Sequence, residues 1–319
     1  MDDTAIRERL RALYDDFEDN LLSKRRPLLA HYTSIQGATS IFESNSLWFS
    51  NPLNMNDIDE VVAAMQIGRE AILRSEDLRL ACASQDRHSR FLSTFDMIYS
   101  WHKTVWLNDT YVFCFSEHDE NDEDGRLSMW RGYGNEGNGA AIIFDTKKLN
   151  INNNSPLIVA PVEYKSRQQM LDWAADRIAL FSRLLSEMAL PDPLLFNAAH
   201  YLFERLKWAA MYSKNRGFIE EREWRVVFFP ERDQEKKFSA MLSFSTGPSG
   251  IEPRLKLPLG PPGPVSQTLD DLVGRIILGP TTASPLARIA FSRMLVEKNH
   301  PHLQGLVTAS SIPYRHPIR

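Results

Sequence analysis

Glu221-Arg222-Glu223-Trp224-Arg225-Val226-Val227-Phe228-Phe229 is the stretch that decides how the chain folds. From residue 223 it is an unbroken run of aromatic, β-branched and charged residues, which reads as a strand. At its head, Glu221 and Glu223 alternate with Arg222 and Trp224, as an edge strand with one wet face would show. Similar runs lie far from it on both sides. Upstream are Leu28-Leu29-Ala30-His31-Tyr32, Leu47-Trp48-Phe49-Ser50, Tyr111 to Ser116, Ala140 to Asp145 and Leu157 to Tyr164. Downstream are Arg275 to Gly279 and Leu306 to Ile312.

Between these strands the apolar spacing turns helical. Ile6, Leu10, Leu13, Tyr14, Phe17 and Leu21 mark an amphipathic helix over residues 5–22, with a basic turn at Lys24-Arg25-Arg26-Pro27. Thr33 or Ser34 is placed to cap a helix over residues 35–44. Helices fill about 60–105, 167–188, 194–213 and 285–297. Residues 246–265, crowded with Pro and Gly, read as a surface loop. Strands scattered along the whole chain with unequal helices between them indicate an α+β fold. The expected organisation is an N-terminal amphipathic helix over 1–27 and one α+β domain over 28–319, with a helical insertion at about 167–213.

Composition sets outer limits. The chain has 319 residues, 43% hydrophobic and 24% charged, with a net charge of -4, so no general affinity for a nucleic-acid backbone is signalled. No apolar run approaches the roughly 20 residues of a membrane helix, and the acidic start is no secretory signal. Two cysteines, Cys82 and Cys114, outside any CxxC pair, suit a reduced, cytoplasmic setting with buried, inert thiols.

Polar and aromatic clusters fall at strand ends: His31-Tyr32-Thr33-Ser34; Trp48-Phe49-Ser50 with Asn56, Asp57 and Glu60; Ser116-Glu117; Trp130-Arg131-Gly132-Tyr133-Gly134; and Glu221 to Arg225. Each has a plain structural reading. His31 can be a strand-end histidine bonded to backbone. Glu223 can pair with Arg225. Trp130 can be core beside a glycine turn, and Asn56, Asp57 and Glu60 can cap the following helix. The acidic loop 117–125 is not an EF-hand, because Arg131 stands at the twelfth position. His300 and His302 lack Cys or acidic neighbours in sequence, and no GxGxxG, P-loop lysine or GxSxG motif occurs.

HYTS, LWFSNPLNMND, CFSE, MWRGYG with GAAIIFD, EEREWRVVF, RIILGP and SSIPYR follow one another in an order that resembles a bacterial family known as domain of unknown function 2971. The resemblance spans about Leu29 to Arg315. The layout is also similar to the ADP-ribosyltransferase fold, a split β-sandwich with helical insertions. Enzymes of that fold place a His or Arg on an early strand, an aromatic or Ser-Thr element in the middle and a Glu on a later strand. His31, Tyr32 and Glu223 occur in that order, and Glu221-x-Glu223 matches the spacing of the subgroup that modifies arginine.

The second resemblance implies NAD as substrate, with no metal. Glu223 would stabilise the oxocarbenium-like state as nicotinamide leaves. His31 would hold the ribose or the carboxamide, and Tyr32, Trp48 or Tyr133 would stack on the nicotinamide ring. Thr33 would join His31 and Tyr32 in holding the cofactor. Arg131 would meet the pyrophosphate through its planar fork, and Glu221 would orient or deprotonate the acceptor. It further implies a bacterial toxin or antiphage effector whose acceptor is a protein or nucleic acid, with room for an inhibitory partner protein. Two other functions stay open: a non-catalytic nucleotide sensor, and a nuclease holding a divalent metal on Asp57, Glu221 and Glu223.

Overall fold

Strand β1 (Leu28–Ser34) ends on the residue that caps the next helix: the Ser34 side chain accepts from the Gly37 N–H at the head of Ile35–Ser44. That helix starts and stops where the cap and apolar spacing predict, and buries Ala38, Ile41 and Phe42. Ser34→Ala is expected to lower stability by about 1 kcal/mol in urea denaturation, through loss of this cap.

The computed structural model describes residues 2–18, 20–55, 58–104, 106–150, 155–247 and 250–314. Asn56, Asp57, Arg315 and part of the polar turn at 151–154 therefore lie outside the described residues. The remaining strands are β2 (Ser46–Ser50), β3 (Tyr111–His118), β4 (Gly139–Asp145), β5 (Leu157–Pro161), β6 (Glu163–Lys165), β7 (Ser213–Asn215), β8 (Glu223–Phe228), β9 (Leu242–Gly247), β10 (Gly250–Pro258), β11 (Val273–Leu278) and β12 (Val307–Ala309). With a mostly antiparallel sheet and many helices, the fold is α+β.

The chain packs as two units. One is built from residues 1–18, 51–110 and 162–219, the other from 19–50, 111–161 and 220–319. The first is helical, with Ile58–Arg74, Gln85–Thr104, Arg167–Met188 and Leu195–Met211 as its long elements and a two-stranded parallel sheet of β6 and β7. Arg167–Met188 carries a full capping box, in which Ser166 and Gln169 satisfy each other's backbone N–H groups. The amphipathic helix expected over 5–22 is instead Asp3–Leu10 followed by a 3-10 turn, Arg11–Tyr14, with a separate helix at Leu21–Arg25.

The second unit holds the large sheet, in the order β12-β11-β4-β1-β3-β2-β10-β9, with β8 between β3 and β5. One edge of β3 carries β8 along Tyr111 to Ser116. The opposite edge is shared: β1 pairs with its end at Ser116 to His118, and β2 meets it at Val112. The sheet therefore splits between β1 and β2. One face packs Phe113, Phe115, Phe144, Trp224 and Val226 into the main core. The other buries Ala30, Tyr32, Ala141 and Ile143 beneath Met129 and Trp130.

Two expectations change. β8 is no edge strand: all six of its residues are buried, because β3 and β5 flank it. Residues 246–265 are not wholly loop, since β9 and β10 form a hairpin there. Pro253 is tolerated because it lies just before β10 starts pairing with β2 at Arg254, so its missing N–H costs no bond to β2.

Candidate functional site

Register decides which predicted residues meet. Ala30 lies opposite Ser116, and Ser116 lies opposite Glu223, so these three share one face of the sheet. Tyr32, two residues beyond Ala30, faces the same way, and its ring meets Trp130 edge-on at 4.8 Å. His31, between them, faces the other way. Its ring stacks on Phe113 at 4.2 Å, on the main-core face. His31 and Glu223 are thus not brought to one cleft.

The plain reading of His31 is the one realised. Where the ladder between β1 and β3 has ended, Nδ1 of His31 bonds the Cys114 carbonyl at 3.0 Å. The bond puts the proton on Nδ1; burial keeps the ring neutral and pushes the pKa down to about 4, against the bond, which works the other way. His31 braces the split in the sheet. Cys114 beside it is half-buried, unlike Cys82, which is fully buried with its thiol pKa raised for that reason.

Tyr32 is also structural. Its hydroxyl accepts the Arg126 N–H at 3.0 Å, and burial raises its pKa to about 12. Gly125, at φ +73°, passes so close that a Cβ there would stand 2.8 Å from the Tyr32 oxygen, so the acidic loop needs glycine to reach β1. Asp122 accepts the N–H groups of Asp124 and Gly125, and Asp124 accepts from Ser311, so part of the loop's charge is spent holding the loop together.

The remaining predicted residues divide. Thr33 points to the His31 face, opposite Ala140 in register. Trp48 sits under the Lys256 ammonium, 3.9 Å from its ring centroid, and donates to Ser44. Arg131 is exposed and lies over the Tyr314 ring at 5.6 Å. Tyr133 does reach the acidic pair: its hydroxyl donates to Glu221 at 3.1 Å. Glu60 accepts the Asn215 N–H at 2.6 Å. His300 does have an acidic neighbour in space, since its Nδ1 lies 2.6 Å from Asp270.

What converges is a buried floor with a half-exposed rim. The floor is Ser116, Glu223 and Arg225, with Arg225 gripping both Glu223 oxygens at 2.7 and 3.2 Å. The Ser116 hydroxyl donates to the Glu221 carbonyl at 2.6 Å and accepts from Arg126 at 3.0 Å. Arg126, Glu221 and Tyr133 form the rim. Arg126 is missing from the sequence-level set, and Ser116, which stands there among the strand-end clusters, has no assigned role in it. Such a floor can present a fixed carboxylate, and such a rim can offer a guanidinium, a phenol and a second carboxylate to a polar ligand.

Residues 129–226 match the model of a family described as protein of unknown function (DUF2971). That span holds WRGYG, GAAIIFD and the head of β8, and so supports the family resemblance over the middle of the chain. No curated protein and no solved structure matches. No described helix is long and apolar enough to cross a membrane.

Proposed function

We propose that the chain transfers ADP-ribose from NAD, with the Glu221–Glu223 edge as its site. The observation that carries this reading is the cross-strand pair Ser116–Glu223, bordered by Arg126. The resemblance also asks for a His or Arg on an early strand, which His31 does not supply because it faces the other way, so the reading rests on the serine–glutamate pair and Arg126. In this form Glu223 faces the positive charge that develops on the ribose as the bond to nicotinamide breaks. Arg126 takes the pyrophosphate, Tyr133 flanks the nicotinamide, and Glu221 receives the proton of the acceptor. The acceptor is a macromolecule, and the biological setting is a cytoplasmic toxin or antiphage effector.

One observation favours a second reading, a non-catalytic nucleotide sensor. Arg225 already neutralises Glu223, which leaves that carboxylate less charge to offer an oxocarbenium. Nicotinamide release from NAD by the purified chain separates the two. The transferase reading expects Glu223→Gln to slow release by roughly a hundredfold or more, compared at a temperature where both proteins are folded. An unaffected variant overturns it. A thermal shift with NAD but no release supports the sensor.

A further inference from the structure

A second constellation sits in the helical unit. His200 and Glu204 are four residues apart on Leu195–Met211, so their side chains share a face. His102, on Gln85–Thr104, lies against that face. Its ring stacks on Phe203 at 4.5 Å, and its centroid is 6.4 Å from that of His200. One donor atom from each of His102, His200 and Glu204 falls within 4.8 Å of the other two. Donors around a first-row metal bound at about 2.0–2.2 Å must come somewhat closer than that. His200 is only half-buried, so a modest turn of its ring towards the other two donors suffices.

The donor types are informative. Two imidazoles and one carboxylate are a set that zinc accepts, with the fourth tetrahedral position left to water. Glu204 is held in place: the fully buried Lys207 ammonium contacts its two oxygens at 2.7 and 2.6 Å, so a cation would share the carboxylate with it. An outer-shell donor of this kind fixes the orientation of a ligating carboxylate. Its positive charge also opposes a cation, so the affinity should fall below that of a closed four-ligand structural site. Aromatic rings flank the group. Trp101 meets His102 edge-on at 5.0 Å, Phe196 stacks on His200 at 6.4 Å, and both rings are well exposed.

We propose that His102, His200 and Glu204 bind one zinc-class divalent cation and leave a coordination position open beside the exposed rings of Trp101 and Phe196. The site is separate from the Glu221–Glu223 edge, and neither reading depends on the other.

The test uses the full chain, stripped with a chelator and titrated with Zn2+ by calorimetry. One saturable equivalent is expected. At a free zinc level about a hundredfold above Kd, the melting temperature should rise by about 5 °C and fall back when chelator is added. His200→Gln, at a half-exposed position, should weaken binding at least tenfold, whereas His302→Gln, at an exposed position elsewhere, should leave it unchanged. Co2+ in the unmodified chain supplies a measurement independent of any variant: intense visible bands of a four- or five-coordinate ion are expected. No saturable zinc binding, binding unchanged in His200→Gln, or a weak six-coordinate cobalt spectrum would each overturn the proposal.

Discussion

Arg225→Ala is expected to cost about 3–5 kcal/mol of stability at neutral pH. Arg225 is fully buried, and its guanidinium grips both oxygens of a Glu223 that is itself 5% exposed. Both side chains project from one face of β8 and are largely withdrawn from water. Taking away the cation removes the grip on both oxygens, so less of the carboxylate's desolvation cost is offset. The double variant Glu223→Met with Arg225→Met removes both charges and fills similar volume. It should recover most of the stability, because a buried pair often gains little over apolar side chains of the same size. Urea denaturation of the three proteins at pH 7 checks this. Equal losses in the single and double variants would show that packing, not charge, sets the cost. The double variant also bears on function: a stable protein without a Glu223 carboxylate separates a catalytic need for that group from a structural one.

The same pair shows where sequence reading succeeds and where it stops. Local signals were legible. Ser34 before Ile35–Ser44 acts within one helical turn, so neighbouring residues suffice to read it. The strand nature of Glu223–Phe228 was also legible, because its composition is continuous. Its place inside the sheet was not, since that depends on β3 and β5 lying on either side. The hairpin of β9 and β10 was hidden by Pro and Gly, which break a strand only where a ladder bond is needed. The site failed for a related reason. His31 and Tyr32 are adjacent on one strand, so alternation alone sends them to opposite faces. Which of the two shares a face with Glu223 depends on two registers in series, Ala30 to Ser116 and Ser116 to Glu223. No local pattern encodes that parity, because a slip of one residue in either register would invert it.

His31 supplies the second large effect, as a dependence on pH. Its pKa is about 4 in the folded chain, lowered by burial against Phe113, while the bond to the Cys114 carbonyl works the other way. An unfolded histidine titrates near 6.5. Between these values the unfolded chain binds a proton at this position and the folded chain does not. Stability should therefore be complete above about pH 6.5 and fall progressively as the pH drops to about 4. The upper bound is on the order of 3 kcal/mol, reduced by solvent at the exposed edge of the ring. His118 is shifted in the same direction, mainly by burial, so the slope of the intact protein contains both groups. His31→Gln isolates one of them. A glutamine amide can still donate to the Cys114 carbonyl but cannot titrate, so the brace across the split is kept while the proton uptake is removed. Urea midpoints measured from pH 7.5 to pH 4 should converge for the two proteins at the acid end, with the intact chain showing the steeper fall. Parallel curves would mean that the imidazole already titrates normally in the folded chain. The bond across the split would then be made by a ring that water reaches freely, and the brace assigned to His31 would be lost with it.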